Sequence, residues 1–226
     1  MLAEGDEEEE NTDFFEVLEL GREGKEREIK IGEHLPEHQK DELKASFAEY
    51  TDVLSAYPRK TDLIKCKLML KDESPCKQAP YGMPDALKPA VVAEIIKLLE
   101  NGFIVECDSD FSSPLVVVRK RDGSIRLCCN YIALNERLVD DHYITANSAE
   151  ILSSAAGAAV VSTIDLKQAF WQVELEEDSV KYTSFRCFVD SFAWTRMPFG
   201  LQTSPKILYR LIDKILRGIR PCKITP

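Results

Sequence analysis

The chain has 226 residues, 44% of them hydrophobic, which is enough for the core of one large domain or two small ones. No apolar run reaches the length of a membrane span, and the first residues are acidic where a secretory signal needs basic and then apolar ones, which points to the cell interior. The formal net charge of −10 opposes nucleic-acid binding until it is divided: residues 1–50 hold 17 acidic and 6 basic side chains, and the rest hold 22 and 23. The acidity is therefore N-terminal, and the near-neutral remainder has a basic cluster at Arg119, Lys120, Arg121 and Arg126. Seven cysteines, an odd number with no C-x-x-C pair, read as free thiols and neither disulfides nor a zinc cage.

In chain order, residues 1–33 open on GDEEEE and then mix charges without sustained periodicity, as expected of a disordered acidic leader. A linker region with a helix and a strand is expected over 34–77. It begins with HLPEH, His34 to His38, which fits the H-x-x-E-H pattern of some zinc peptidases. That chemistry needs both histidines on one face of an unbroken helix, and Pro36 between them disrupts the turn. Leu43, Phe47, Tyr50 and Leu54 predict an amphipathic helix over 37–54, closed by Tyr57-Pro58. TDLIKCKLML predicts a strand over 61–70, followed by a loop with Pro75, Pro80 and Pro84. Leu87, Val91, Ile95 and Leu99 repeat every four residues, a core-facing helix that Asn101-Gly102 ends.

Residues 111–131 predict a β-hairpin: Pro114 begins the apolar strand LVVV, Asp122-Gly123 turns, and SIRLCCNY returns. The basic cluster at its end reads either as the charged guard of a sheet edge or as a phosphate grip, Lys as a point charge and Arg as a fork. A weakly patterned helix over 148–155 precedes AAVVSTIDLKQAFWQV, where Val160, Val161, Thr163 and Ile164 predict a buried strand ending in Asp165. That carboxylate either caps a short helix over 166–170 or holds a divalent metal. A second hairpin is predicted from 181–188 and 192–197. Gly200 then permits a tight turn, and Ser204 as N-cap with Pro205 starts a last helix, whose apolar face is Ile207, Leu208, Leu211, Ile212 and Ile215.

Five segments, QAPYGMP, SSPLVVVRKRDGSIRLCCNYIALN, STIDLKQAFWQV, KYTSF and MPFGLQTSP followed by YRLIDKIL, come in this order over some 150 residues. In order and spacing they resemble the N-terminal part of the reverse transcriptase of a gypsy-type long-terminal-repeat retrotransposon. The resemblance implies an α+β right-hand polymerase fold over 78–226, with fingers from about 78–135 and 181–203, and an incomplete palm formed by the strand before Asp165 and the helix after Ser204.

By the same resemblance the chemistry is nucleotidyl transfer to a primer 3′-hydroxyl, with deoxynucleoside triphosphates, an RNA or DNA template-primer and Mg²⁺ as partners. Asp165 matches the first metal-binding aspartate, with the Leu166 carbonyl beside it. Lys120 and Arg126 match the residues that hold the triphosphate. Phe170 matches the aromatic that excludes ribonucleotides at the sugar 2′ position, although a core aromatic is an equal reading of it from the residues. Phe199 and Gly200 match a turn close to nucleotide and template. Asn130 and Ile132 depart from the aspartate and arginine usual there, and Trp171 is larger than the usual residue. A Tyr-x-Asp-Asp pair is absent from the sequence, and Asp140-Asp141 precedes the central strand. The chain alone is therefore expected to be inactive, within a Pol polyprotein whose place is the cytoplasm or a virus-like particle; a non-catalytic nucleic-acid-binding relic or domesticated fragment is the alternative.

Overall fold

The computed structural model describes residues 15–20, 27–50, 58–120, 123–143, 149, 153, 156–159 and 164–219, which fall in two compact units, 1–59 and 60–226. In the first, β1 (Phe15–Leu20) and β2 (Arg27–Gly32) form an antiparallel ladder from Phe15↔Gly32 to Leu20↔Arg27. This hairpin lies where the sequence predicts a disordered leader. Val17, Leu18, Ile29 and Ile31 supply the β-forming residues that the surrounding charges conceal. Helix α1 (Glu37–Glu49) starts directly after Pro36, so His34 lies outside it and the two histidines share no helix face. It ends five residues short of the predicted Leu54, and Leu43 and Tyr50 are exposed.

The second unit is built around a sheet ordered β4-β6-β9-β10-β5, with β7 also paired to β6. Its strands are β4 (Cys76–Lys77), β5 (Ile104–Glu106), β6 (Phe111–Arg119), β7 (Ile125–Cys129), β9 (Phe185–Arg186) and β10 (Ser191–Trp194). The first predicted hairpin is present: Leu115↔Cys129 through Arg119↔Ile125 pair antiparallel, and Gly123 takes φ +82° at the turn. Its first strand begins earlier than Pro114, because residues 111–114 find separate partners: Phe111 and Ser112 pair with β4, and Ser113 and Pro114 with β9.

Helix α2 (Lys88–Glu100) has Pro89 in its first turn, buries Val91, Ile95 and Leu98, and stops where Gly102 adopts φ +67°. Of the strand predicted over 61–70, only β3 (Lys65–Cys66) is present, paired in parallel with β8 (Glu174–Leu175), although residues 64–70 alternate in burial. A partner of two residues cannot extend the ladder further. This pairing also places residues 60–77 in the same unit as 78–226, so the expected boundary at 77/78 falls inside it.

The second hairpin is shorter than predicted. After α4 (Glu177–Val180), Lys181–Thr183 forms a 3₁₀ turn, because the Thr183 hydroxyl donates to the Val180 carbonyl at 2.8 Å and accepts the Trp194 N–H at 3.1 Å. Helix α3 (Ile132–Arg137) follows β7, and α5 (Ser204–Leu216) closes the described chain. The residue at the α5 N-cap position is Thr203, with Ser204 the first helical residue, and neither hydroxyl caps the helix. Ile207, Tyr209 and Leu211 are buried, whereas Ile215 is half exposed. Of the predicted helix over 148–155, only residues 149 and 153 are described, both helical; the predicted strand residues 160–163 lie outside the described residues.

The core is aromatic. Trp194 and Phe185 are fully buried at a centroid distance of 5.9 Å, Trp171 lies 5.6 Å from Trp194, and Phe103 lies 4.8 Å from Trp171. The Tyr131 hydroxyl donates to the Thr183 carbonyl at 2.9 Å, tying α3's start to the same core. Among the described residues no helix is long and apolar enough to cross a membrane.

Candidate functional site

The β6–β7 hairpin brings Lys120 to its end and Arg126 onto the returning strand, opposite Val118. Charged side chains at this edge need a surface to rest on, and the structure supplies one: the Arg126 guanidinium carbon lies 5.1 Å from the ring centroid of Phe199. Phe199 in turn meets Phe170 edge-on at 5.3 Å and Trp171 at 6.1 Å. Lys120, Arg126, Gln168, Trp171 and Phe199 line one pocket, which Glu94 of α2 joins as the only acidic lining residue among the described residues. The pocket is thus basic and aromatic, with an apolar floor that continues into the core.

Two backbone devices shape it. Gly200 takes φ +96°, and a Cβ there would lie 3.3 Å from the Cys129 carbonyl oxygen, so the turn after Phe199 lies directly on the end of β7. Gln168 adopts the left-handed conformation at φ 50°, ψ 46°, rare for a residue with a side chain, and reverses the chain after Asp165. The 3₁₀ helix Ala169–Gln172 then turns Phe170 and Trp171 toward Phe199. Burial also sets the local acid–base chemistry: the Cys129 thiol, fully enclosed although the Trp194 indole N–H lies 3.5 Å from its sulfur, is pushed up to about 12. Arg196, which donates to the Trp171 carbonyl at 3.4 Å, has its pKa lowered by burial, an effect opposed by Glu174.

Asp165 stands apart. It and Leu166 are exposed in an irregular stretch, and the helix that follows has Gln168 at its N-cap position with no side-chain cap, which removes the capping reading of Asp165. The resemblance assigns Mg²⁺ to this carboxylate and the Leu166 carbonyl. Among the described residues no three His, Cys, Asp or Glu side chains come together to hold a metal, so these two oxygens do not make a complete site. Asp140 and Asp141 are engaged elsewhere, each 2.6 Å from a cation of α5, Lys206 and Arg210. The structure therefore gathers Lys120, Arg126, Phe170, Phe199 and Gly200 around one pocket and leaves Asp165 and Leu166 out of its lining as exposed groups. Glu94 and Gln168 were not legible as site residues: on α2, Glu94 follows the apolar stripe without a motif of its own, and nothing in the sequence marks a left-handed glutamine.

Residues 118–225, which include the hairpin cations, Asp165 and the Phe199 turn, match the family described as reverse transcriptase (RNA-dependent DNA polymerase). This segment is similar to reverse transcriptases. Over 218 residues, 92% of this chain, the sequence is 28% identical to the retrovirus-related Pol polyprotein from transposon 412 of Drosophila melanogaster, and over 164 residues, 70% of the chain, it is 32% identical to that from transposon 297. The chain spans 18% and 16% of the length of these two relatives. The prototype foamy virus protease-reverse transcriptase superposes on 84% of this chain with a TM-score of 0.74 at 25% identity, 26% of that protein being covered. The same viral enzyme in complex with an RNA/DNA hybrid gives a TM-score of 0.74 at 22% identity, which shows the fold. The mixed α+β architecture is accordingly that of polymerase fingers and palm.

Proposed function

We propose that this chain is the fingers and first palm portion of an RNA-directed DNA polymerase, encoded in the Pol polyprotein of a gypsy-type long-terminal-repeat retrotransposon and acting inside the cell, in the cytoplasm or a virus-like particle. The polymerase part is residues 78–226, with 34–77 leading into it and 1–33 before it. The reaction is nucleotidyl transfer: a primer 3′-hydroxyl attacks the α-phosphate of a deoxynucleoside triphosphate, a new P–O bond forms, and pyrophosphate leaves. Lys120 and Arg126 hold the leaving phosphates, which carry the negative charge that grows as the bond breaks. Phe170 excludes a ribose 2′-hydroxyl by collision, and Phe199-Gly200 supports nucleotide and template. Asp165 and the Leu166 carbonyl contribute to a Mg²⁺ site that they do not complete, so a polypeptide of these 226 residues alone does not extend a primer.

The observation that carries this reading is the Arg126 guanidinium seated on Phe199 beside Lys120 and Phe170, within the segment that matches the family. A template-primer as partner is supported by the foamy virus enzyme solved with an RNA/DNA hybrid. The test is a titration of the chain with dATP, followed by the fluorescence of Trp171, which lines the pocket. Lys120→Ala and Arg126→Ala should each weaken binding by about tenfold, the scale of one charge-assisted hydrogen bond, and added salt should weaken it in the unmutated chain. Binding that is absent at millimolar dATP, or that ignores both substitutions, overturns the assignment.

A further inference from the structure

The turn that carries Phe199 is held by the last side chain of the segment SSPLVVVRKRDGSIRLCCNYIALN. Asn135, half-buried on α3, donates from Nδ2 to the Gly200 carbonyl at 2.9 Å and accepts the Gln202 N–H on Oδ1 at 3.0 Å. One amide thus grips both sides of the turn, satisfying a carbonyl and an N–H that no regular strand or helix pairs. On its other side the turn has little freedom: Gly200 lies against the Cys129 carbonyl, and Phe199 is fixed between Phe170, Trp171 and Arg126. The position of α3 is itself fixed, since the Tyr131 hydroxyl is anchored on Thr183 and Arg137 donates to the Ser74 carbonyl at 2.6 Å.

We propose that Asn135 is a positioning residue: its paired hydrogen bonds hold the 199–202 turn at the height where the Phe199 ring supports the Arg126 guanidinium. The proposal rests on the reading of Arg126 as a triphosphate-holding group for its function, but its geometry is independent of that reading. Without the amide, the turn keeps its glycine and its aromatic contacts yet loses the two bonds that set its register. The ring tilts away, and Arg126 samples orientations that no longer converge with Lys120. The cost falls on nucleotide affinity, by about three- to tenfold for one or two such hydrogen bonds.

The experiment uses the full chain and two readouts. Protons of the Arg126 side chain lie over the face of an aromatic ring, where the ring current shifts their NMR signals upfield; Phe199→Leu gives the reference position without the ring. In Asn135→Ala the Arg126 signals should collapse toward that reference while the chain stays folded by near-ultraviolet circular dichroism, and dATP affinity should fall. If alanine unfolds the chain, the isosteric Asn135→Asp keeps the acceptor for Gln202, loses the donor to Gly200, and should give the same collapse. A role in stability alone lowers the melting temperature without moving the Arg126 signals in the folded state. Signals that stay at their unmutated positions in the folded variant overturn the proposal. Signals that collapse in a chain that binds no dATP uphold the positioning role and refute the triphosphate reading instead.

Discussion

The support beneath Arg126 and the stretch that bears Asp165 are close in sequence and opposite in construction. Phe199 rests on Phe170 and Trp171, and through Trp171 on Trp194 and Phe103, so the orientation of the guanidinium is inherited from the core. Asp165 and Leu166 are exposed, with Ile164 almost entirely so, and Asp165 makes no ion pair with a described residue. Packing specifies the basic half of the site in advance, whereas the carboxylate is presented without a fixed partner among the described residues. Preorganisation is one-sided: the hydrophobic core contributes to binding geometry on the side of the cations only.

This contrast can be broken most forcefully at Trp194. Trp194→Ala opens a cavity beneath Trp171 and Phe185 and should lower the free energy of unfolding by about 3–5 kcal/mol in urea titrations; a loss under about 1 kcal/mol would separate the support from the core.

Alkaline pH probes the same side more gently. An unfolded thiol ionises near its ordinary value of 9.0, while burial holds Cys66 and Cys129 protonated to about 12. The unfolded chain therefore releases its protons first. The stability these two thiols confer is complete below pH 9 and declines from there toward pH 12, by about 1.4 kcal/mol per pH unit for each thiol. Thiolate absorbance should show at least two fewer cysteines ionising between pH 9 and 11 in the native chain than in urea, since burial also raises Cys107 and Cys128; equal titrations would mean that the enclosure is leaky.

The smallest effect belongs to the exposed side. Asp165→Asn should change unfolding free energy by less than about 0.5 kcal/mol. A larger loss would show that the carboxylate has a structural partner and that the two regions differ less than their exposure indicates.

What the sequence disclosed follows the same division. The four-residue repeat of α2, the hairpin around Gly123 and the apolar face of α5 were legible because each follows a periodicity that burial enforces. The strand predicted over 61–70 is present only at Lys65 and Cys66, since residues 64–70 alternate in burial but a strand also needs a partner of equal length. Lys181–Thr183 was read as strand because the Thr183 hydroxyl, which replaces a ladder bond at Trp194, leaves no trace in a hydropathy pattern. The charged surroundings of residues 15–32 concealed a hairpin in the same way. Of the site, motif order singles out the cations and aromatics, whereas the part of Asn135 is played by one amide on α3 against a turn some 65 residues on, which no local pattern marks.

The single strand β6 takes three partners in turn within nine residues: β4 at Phe111 and Ser112, β9 at Ser113 and Pro114, and β7 from Leu115 to Arg119. An inserted or deleted residue inside it shifts the facing of every later side chain and misaligns the parallel and antiparallel ladders together. Lys120 and Arg126 lie downstream of that strand, so an in-frame slip of one codon there displaces both cations while leaving their identities intact. In this short stretch length, more than composition, decides whether Lys120 and Arg126 still line one pocket with Phe199.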